Sequence, residues 1–247
     1  MTPFPPPGFE AVIFDMDGVV TQTAVAHAAA WKQLFDDFLR ARSERTGEPF
    51  REFDVQADYR PYVDGMPRSD GVRRFLASRL IELPEGTPSD PPDAETVYGL
   101  GNRKNGYFMR HVEREGVAPF ETTVALIRGL RERGIRTAII SASENATVVL
   151  TSAGVIDLFD VQVDGTDSKR LGLAGKPDPA IFLEAARELH VQPRHAVVVE
   201  DALAGVEAGR AGGFGLVVGI DRVGLGSAMA DRGADIVVGD LGELAGA

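Results

Sequence analysis

The chain has 247 residues, 44% of them hydrophobic and 26% charged, with a formal net charge of −11 at pH 7 and no cysteine. That length buries a substantial core, either as one large domain or as a core with a smaller insert, and the acidic balance argues against nonspecific attraction to nucleic acid or anionic membrane. Zero cysteines exclude disulfides and thiol catalysis and suit a reducing, cytoplasmic setting; with no basic-then-apolar leader and no apolar run near about 18 residues, neither secretion nor membrane spanning is expected.

In chain order, Met1-Thr2-Pro3-Phe4-Pro5-Pro6-Pro7-Gly8 reads as a mobile polyproline-type tail. Residues 11–14 are a wholly apolar, β-like run, and Asp15-Met16-Asp17-Gly18-Val19-Val20-Thr21 follows it directly. Two carboxylates therefore stand at the carboxyl end of a buried strand, where open α/β sheets place their chemistry. An acidic pair beside a sharp Gly turn suits a hard, oxygen-seeking cation such as Mg²⁺, and taken alone it is equally readable as an Asp-Gly turn.

From residue 21 to residue 117 the pattern is helical with no convincing strand: residues 24–42, carrying Trp31, Leu34, Phe35 and Phe38 at helical spacing, then 71–80, then 96–115. The Pro-rich stretch 83–92 reads as a loop inside this all-helical insertion. Further β-like runs at 136–140, 161–163, 196–199, 215–220 and 234–238 are mostly separated by helical patterns, which predicts a parallel sheet with crossover helices. The expected organisation is a Rossmann-like α/β core over 1–20 and 118–247, interrupted by a helical cap over 21–117.

Three later segments bear on chemistry. Ser141-Ala142-Ser143-Glu144-Asn145 follows a strand and opens a helix, so its hydroxyls and N–H groups form a natural phosphate cradle, with plain N-capping by Ser143 as the alternative. Lys176 lies in Gly175-Lys176-Pro177-Asp178-Pro179, where Asp178 and Pro179 read as the N-cap and first position of a helix; without a Gly five positions before Gly175 this is no Walker loop. Glu200-Asp201 gives a second acidic pair at a second strand end.

The order Asp-x-Asp-Gly-x-x-Thr, strand-Ser, Lys-Pro, strand-Glu-Asp resembles the haloacid dehalogenase superfamily of phosphotransferases, and the helical insertion resembles its α-helical cap. Within it, His27, Trp31-Lys32, Gly65-Met66-Pro67-Arg68-Ser69, Arg103-Lys104-Asn105 and Ser141-Ala142-Ser143-x-Asn145 resemble the β-phosphoglucomutase-like subfamily. Two features depart from it: Glu144 stands where a lysine is expected, and the cap carries the longer Pro-rich loop. Both bear on the substrate more than on the chemistry.

The resemblance implies a Mg²⁺-dependent phosphomutase of a small phosphorylated sugar, cytoplasmic and monomeric, converting β-D-glucose 1-phosphate to D-glucose 6-phosphate through the 1,6-bisphosphate. Asp15 would be the nucleophile and Asp17 the general acid and base, with Lys176 neutralising charge. Asp15, the backbone carbonyl of Asp17, Glu200 and Asp201 would hold the metal. Ser141, Ala142 and Asn145 would bind the transferring phosphate. Arg68 and Lys104 are expected at a second phosphate. Thr23, Trp31 and Gly65 are further substrate-binding candidates, though Trp31 also reads as a cap-core anchor and Lys104 as a solvated helix charge. His27 would act near the hinge as a proton-linked group. A sugar-phosphate phosphatase with the same aspartyl intermediate is the alternative; a receiver-like phosphoacceptor module and a catalytically degenerate sugar-phosphate binder are more remote ones.

Overall fold

The protein is represented by a computed structural model that describes residues 4–64 and 66–245. Six strands run in chain order: β1 (Ala11–Asp15), β2 (Arg136–Ile140), β3 (Val161–Val163), β4 (Ala196–Glu200), β5 (Leu216–Ile220) and β6 (Ile236–Val238). All five neighbouring pairs are parallel, in the spatial order β3-β2-β1-β4-β5-β6. Strands such as β1 and β4 are buried at every position, which is why they read as unbroken apolar runs rather than alternating ones. The Rossmann-like core is thus the expected one, with β6 starting two residues later than the apolar pattern suggests.

Helices in chain order are α1 (Ala24–Thr46), α2 (Tyr59–Tyr62), α3 (Arg68–Ser78), α4 (Val97–Glu115), α5 (Glu121–Glu132), α6 (Ala146–Ser152), α7 (Gly165–Leu171), α8 (Ala180–Glu188), α9 (Leu203–Ala211), α10 (Gly226–Asp231) and α11 (Gly242–Ala245). Among the described residues none is long and apolar enough to cross a membrane. The chain divides into two compact units, 1–22 with 117–247, and 23–116. The first is the sheet with its helices, centred on Ile13, Val198, Phe182 and Phe214. The second contains α1 to α4 and its own core, in which Trp31, Leu34, Phe35 and Phe38 form the buried stripe of α1 and meet Phe53, Phe75 and Leu100. Phe35 lies 3.9 Å from Phe75 and 5.3 Å from Phe53, ring centroid to ring centroid.

The Pro-rich stretch is a non-helical loop, but an anchored one. Asn102 donates to the carbonyls of Pro88 and Asp90, and Arg103 donates to that of Pro92 at 2.6 Å. The N-terminal expectation needs correction over 4–8: Phe4 is buried, and its carbonyl accepts from Arg133. Three consecutive prolines suggest an extended tail, yet one aromatic ring ahead of them supplies enough apolar surface to dock the segment.

Candidate active site

Sheet order places the site. From β1 the chain builds outward through β2 and β3, then returns to the other flank of β1 with β4, so the crossovers diverge at the β1–β4 seam and leave a crevice at the strands' carboxyl ends. Register makes those ends level: Phe14 pairs with Val199 and Asp15 with Ile140, which sets Glu200 beside Asp15 on one flank and Ser141 just beyond it on the other.

The turn after β1 is closed by its own residues. The N–H and the hydroxyl of Thr21 both bind the Met16 carbonyl, at 2.9 and 3.0 Å, the Gly18 N–H donates to the Thr21 carbonyl at 2.9 Å, and Thr123 of α5 donates to the Val19 carbonyl at 2.9 Å. Gly18 adopts φ +78°, and a Cβ there would stand 1.8 Å from Asp201 Oδ2, so glycine serves both the left-handed backbone and the close approach of Asp201.

Lys176 enters from the α7–α8 loop. Its Nζ lies 2.5 Å from Asp15 Oδ1 and also binds Glu200 Oε1, above the Phe182 ring. Glu200 is fully buried, and its other oxygen accepts the Ala202 N–H at 2.8 Å. Burial is the dominant influence on Asp15 and raises its pKa to about 8, helped by Glu200 and Asp17 and opposed by Lys176. Burial pulls Lys176 down, but Asp15 and Glu200 together outweigh it, so its ammonium is held charged well above the ordinary lysine range. The helix α8 begins one residue later than expected, with Pro179 rather than Asp178 at the N-cap, and Asp178 just ahead of it accepts the Ala180 N–H at 2.9 Å.

Among the described residues, Asp15, Glu200 and Asp201 form a group whose ligand oxygens all lie within 4.8 Å of one another. These three carboxyl groups make an all-oxygen donor set in a largely buried space, and a donor set of that kind fits a hard divalent cation, which would favour the ionised form of Asp15. The Asp17 carboxylate is not in this group; its Oδ2 stands 3.5 Å from Ser141 Oγ. The Ser143 and Asn145 N–H groups donate to the Ser141 and Ser143 hydroxyls, each at 3.1 Å, so the loop organises itself around its serines. Glu144 pairs with Lys169 at 2.7 Å.

Lys104 is 5% exposed, and its Nζ lies 2.7 Å from His27 Nδ1 and 5.0 Å from the ring centres of both Trp31 and Phe108. The reading of Lys104 as a solvated helix charge is therefore wrong: aromatic faces and an imidazole nitrogen replace water around the ammonium. His27 stacks on Phe108 at 4.2 Å. Trp31 is 3% exposed, parallel to Phe35 at 5.3 Å, and lies 3.2 Å from where a Cβ on Gly71 would stand. This burial against Phe35 fits the reading of Trp31 as a cap-core anchor. Thr23 is buried at the start of α1, and Arg68 is half-buried at the start of α3, its stem 3.9 Å from a Cβ position on Gly101, one turn before Lys104. Gly65 lies outside the described residues. Gly205 escaped the sequence reading altogether: a Cβ there would stand 1.9 Å from Glu200 Oε1.

A buried carboxyl at the end of β1, a charged lysine, a cation-seeking acid cluster and a hydroxyl loop at one sheet edge form a phosphoryl-transfer constellation. Comparison with known proteins agrees. Residues 9–213 match the profile of the haloacid dehalogenase-like hydrolases. A protein of Mycobacterium bovis named beta-phosphoglucomutase is 48% identical over 97% of this chain and 92% of its own length, and one of Bacillus subtilis with the same name is 31% identical over 95% and 91%. The crystal structure of beta-phosphoglucomutase from Clostridium difficile superposes with a TM-score of 0.74 at 26% identity, covering 96% of this chain and 93% of that one. With a profile matched over most of its length and such identity to full-length relatives, this chain belongs to the haloacid dehalogenase-like hydrolase family.

Proposed function

We propose that the protein is a Mg²⁺-dependent phosphomutase that interconverts β-D-glucose 1-phosphate and D-glucose 6-phosphate through glucose 1,6-bisphosphate. The observation that carries this reading is the convergence of Asp15, Lys176, Glu200 and Asp201 at the β1–β4 seam, taken with the near-full-length likeness to proteins named beta-phosphoglucomutase.

Asp15 attacks phosphorus, the bond to the departing sugar oxygen breaks, and an aspartyl phosphate forms. Asp17, two residues on, gives its proton to that oxygen and later takes one from the hydroxyl that receives the phosphoryl group back. A carboxylate meeting a phosphate faces like-charge repulsion, and the Lys176 ammonium relieves it. Ser141, with Ala142 and Asn145, holds the non-bridging oxygens. Asp15, the Asp17 carbonyl, Glu200 and Asp201 would hold Mg²⁺, which supplies further neutralisation of the transferring group when bound. A mutase also needs a second anion site for the other phosphate, and Arg68 is assigned that task.

Incubation with Mg²⁺, catalytic glucose 1,6-bisphosphate and each anomer of glucose 1-phosphate, following glucose 6-phosphate and free phosphate together, tests the reading. Conversion of the β anomer alone supports it; phosphate release without isomerised product overturns it in favour of a sugar-phosphate phosphatase. Arg68→Ala is expected to lower mutase kcat/KM about 30- to 100-fold, the cost of a lost charge-assisted contact, while hydrolysis of a small phosphate ester changes little. Equal losses would remove the second-phosphate role.

The raised pKa of Asp15 gives metal binding a definite pH dependence. Its folded value of about 8 lies well above the ordinary carboxylate range, so this carboxyl favours the folded metal-free chain at acid pH, and that contribution fades as pH rises through 8. A cation needs the ionised form, so binding below pH 8 expels a proton. Mg²⁺ titration calorimetry in two buffers of different ionisation heat is expected to show uptake of the ion with release approaching one proton at pH 6.5, and about tenfold tighter binding per pH unit up to 8. Proton-neutral, pH-independent binding would contradict this.

A further inference from the structure

Arg222 stands two residues beyond β5, outside every group assigned above, and reaches back to the turn that carries the nucleophile. Its Nε–H donates to the Gly18 carbonyl at 3.1 Å and its Nη1 to the Gly239 carbonyl at 3.3 Å, with Asp240 Oδ2 3.5 Å away. The guanidinium carbon lies 3.8 Å from the centre of the Phe120 ring. Phe120 in turn donates its N–H to the Val20 carbonyl at 2.9 Å. One side chain thus grips the Asp-x-Asp-Gly turn directly at Gly18 and, through Phe120, again at Val20.

The base of this arm is itself fixed. Asp221 accepts N–H bonds from Val223, Leu225 and Gly226 at 3.2, 2.7 and 2.9 Å, so Arg222 projects from a closed turn rather than a loose loop. Among the described residues, Arg222 Nη2 is a buried side-chain donor with no hydrogen-bond partner. A donor left unmatched in a covered space is a feature that packing alone does not favour. A guanidinium suits this place because it donates to two carbonyls while its carbon lies over an aromatic ring.

We propose that Arg222 is a positioning residue that locks the Gly18 peptide and thereby aims Asp17 and Asp201; this rests on the phosphoryl-transfer reading of Asp15 and Asp17. Gly18 has the widest backbone freedom in the turn and already occupies φ +78°. Its amide nitrogen is bonded to the Asp17 carbonyl carbon, and its Cα lies against the Asp201 carboxylate. With its carbonyl unpinned, the Gly18–Val19 peptide can rotate, and both acids lose their fixed direction. A misplacement of about 1 Å in such a group costs about a hundredfold in rate.

The experiment compares Arg222→Ala and Arg222→Lys with the unaltered protein, full-length and with Mg²⁺. Arg222→Ala is expected to lower kcat about 10- to 100-fold with KM for the sugar phosphate within about twofold, and methylguanidinium is expected to restore at least about fivefold of the loss. Arg222→Lys, which reaches one carbonyl and cannot stack flat, is expected to recover only part of the rate. A kcat within twofold of normal in the Ala variant, or a loss that methylguanidinium leaves unchanged, overturns the proposal. Where the Ala variant does not fold, the Lys variant decides: full kcat overturns the proposal and a reduced kcat at unchanged KM supports it. If the unaltered protein hydrolyses sugar phosphate instead of isomerising it, the mutase reading falls, while the same variants measured on that hydrolysis still decide the role of Arg222.

Discussion

Asp15→Asn is expected to abolish turnover, by at least about 10⁴-fold, while leaving a folded protein. The amide cannot form an acyl phosphate; of the neighbouring carboxylates, Glu200 is fully enclosed and bound to Lys176 and the Ala202 N–H, and Asp17 faces Ser141. The fold survives because burial already drives the Asp15 carboxyl toward its neutral form, which asparagine imitates in size and polarity, and Lys176 keeps Glu200 as its counter-ion. The check is twofold. Quenching with glucose 1,6-bisphosphate and mass analysis should give a phosphorylated peptide containing residue 15 in the unaltered protein and none in the variant. Thermal melts in EDTA at pH 7 should differ by a few degrees at most. Residual activity above a few per cent would mean that another residue is the nucleophile.

The acids of the site were legible in the sequence because their positions follow from strand endings. A fully buried strand reads as an uninterrupted apolar run, the next residue is at the sheet's carboxyl edge, and parallel register carries Asp15, Ser141 and Glu200 to one level. The strand and helix alternation likewise revealed the inserted helical unit. What the sequence concealed depends on contacts between residues far apart. Lys104 on α4 and His27 on α1 are 77 positions apart, and nothing local marks a lysine as buried against two aromatic rings. The same holds for Arg222, whose partner carbonyl at Gly18 lies 204 positions away. Gly205 was silent for another reason: inside a helix a glycine reads as a weak point, and only coordinates reveal that its missing side chain is occupied by a carboxylate.

Gly205→Ala is the second change with a large expected effect. On the first turn of α9 a methyl group at this position would stand 1.9 Å from Glu200 Oε1 and 2.0 Å from its Cδ. The carboxylate has no free volume to retreat into, being 0% exposed and bound on both oxygens. The helix cannot easily lift either, since at Gly209, one turn on, a Cβ position already lies 3.1 Å from Val198 and 3.2 Å from Val217 on the sheet below. Overpacking of this kind costs about 1–3 kcal/mol, and displacing a metal-ligating carboxylate or its support costs about 10- to 100-fold in metal affinity. The expected result is a lower melting temperature together with at least tenfold weaker Mg²⁺ binding. Gly129→Ala is the matched control: it lies within α5 with nothing within 4 Å of its Cβ position, so it should stabilise the protein by about 0.5–1 kcal/mol and leave Mg²⁺ binding untouched. Should Gly205→Ala bind Mg²⁺ as tightly as the unaltered protein, α9 must yield before Glu200 does, and the carboxylate's place would be set by Lys176 and the Ala202 N–H rather than by the space this glycine leaves.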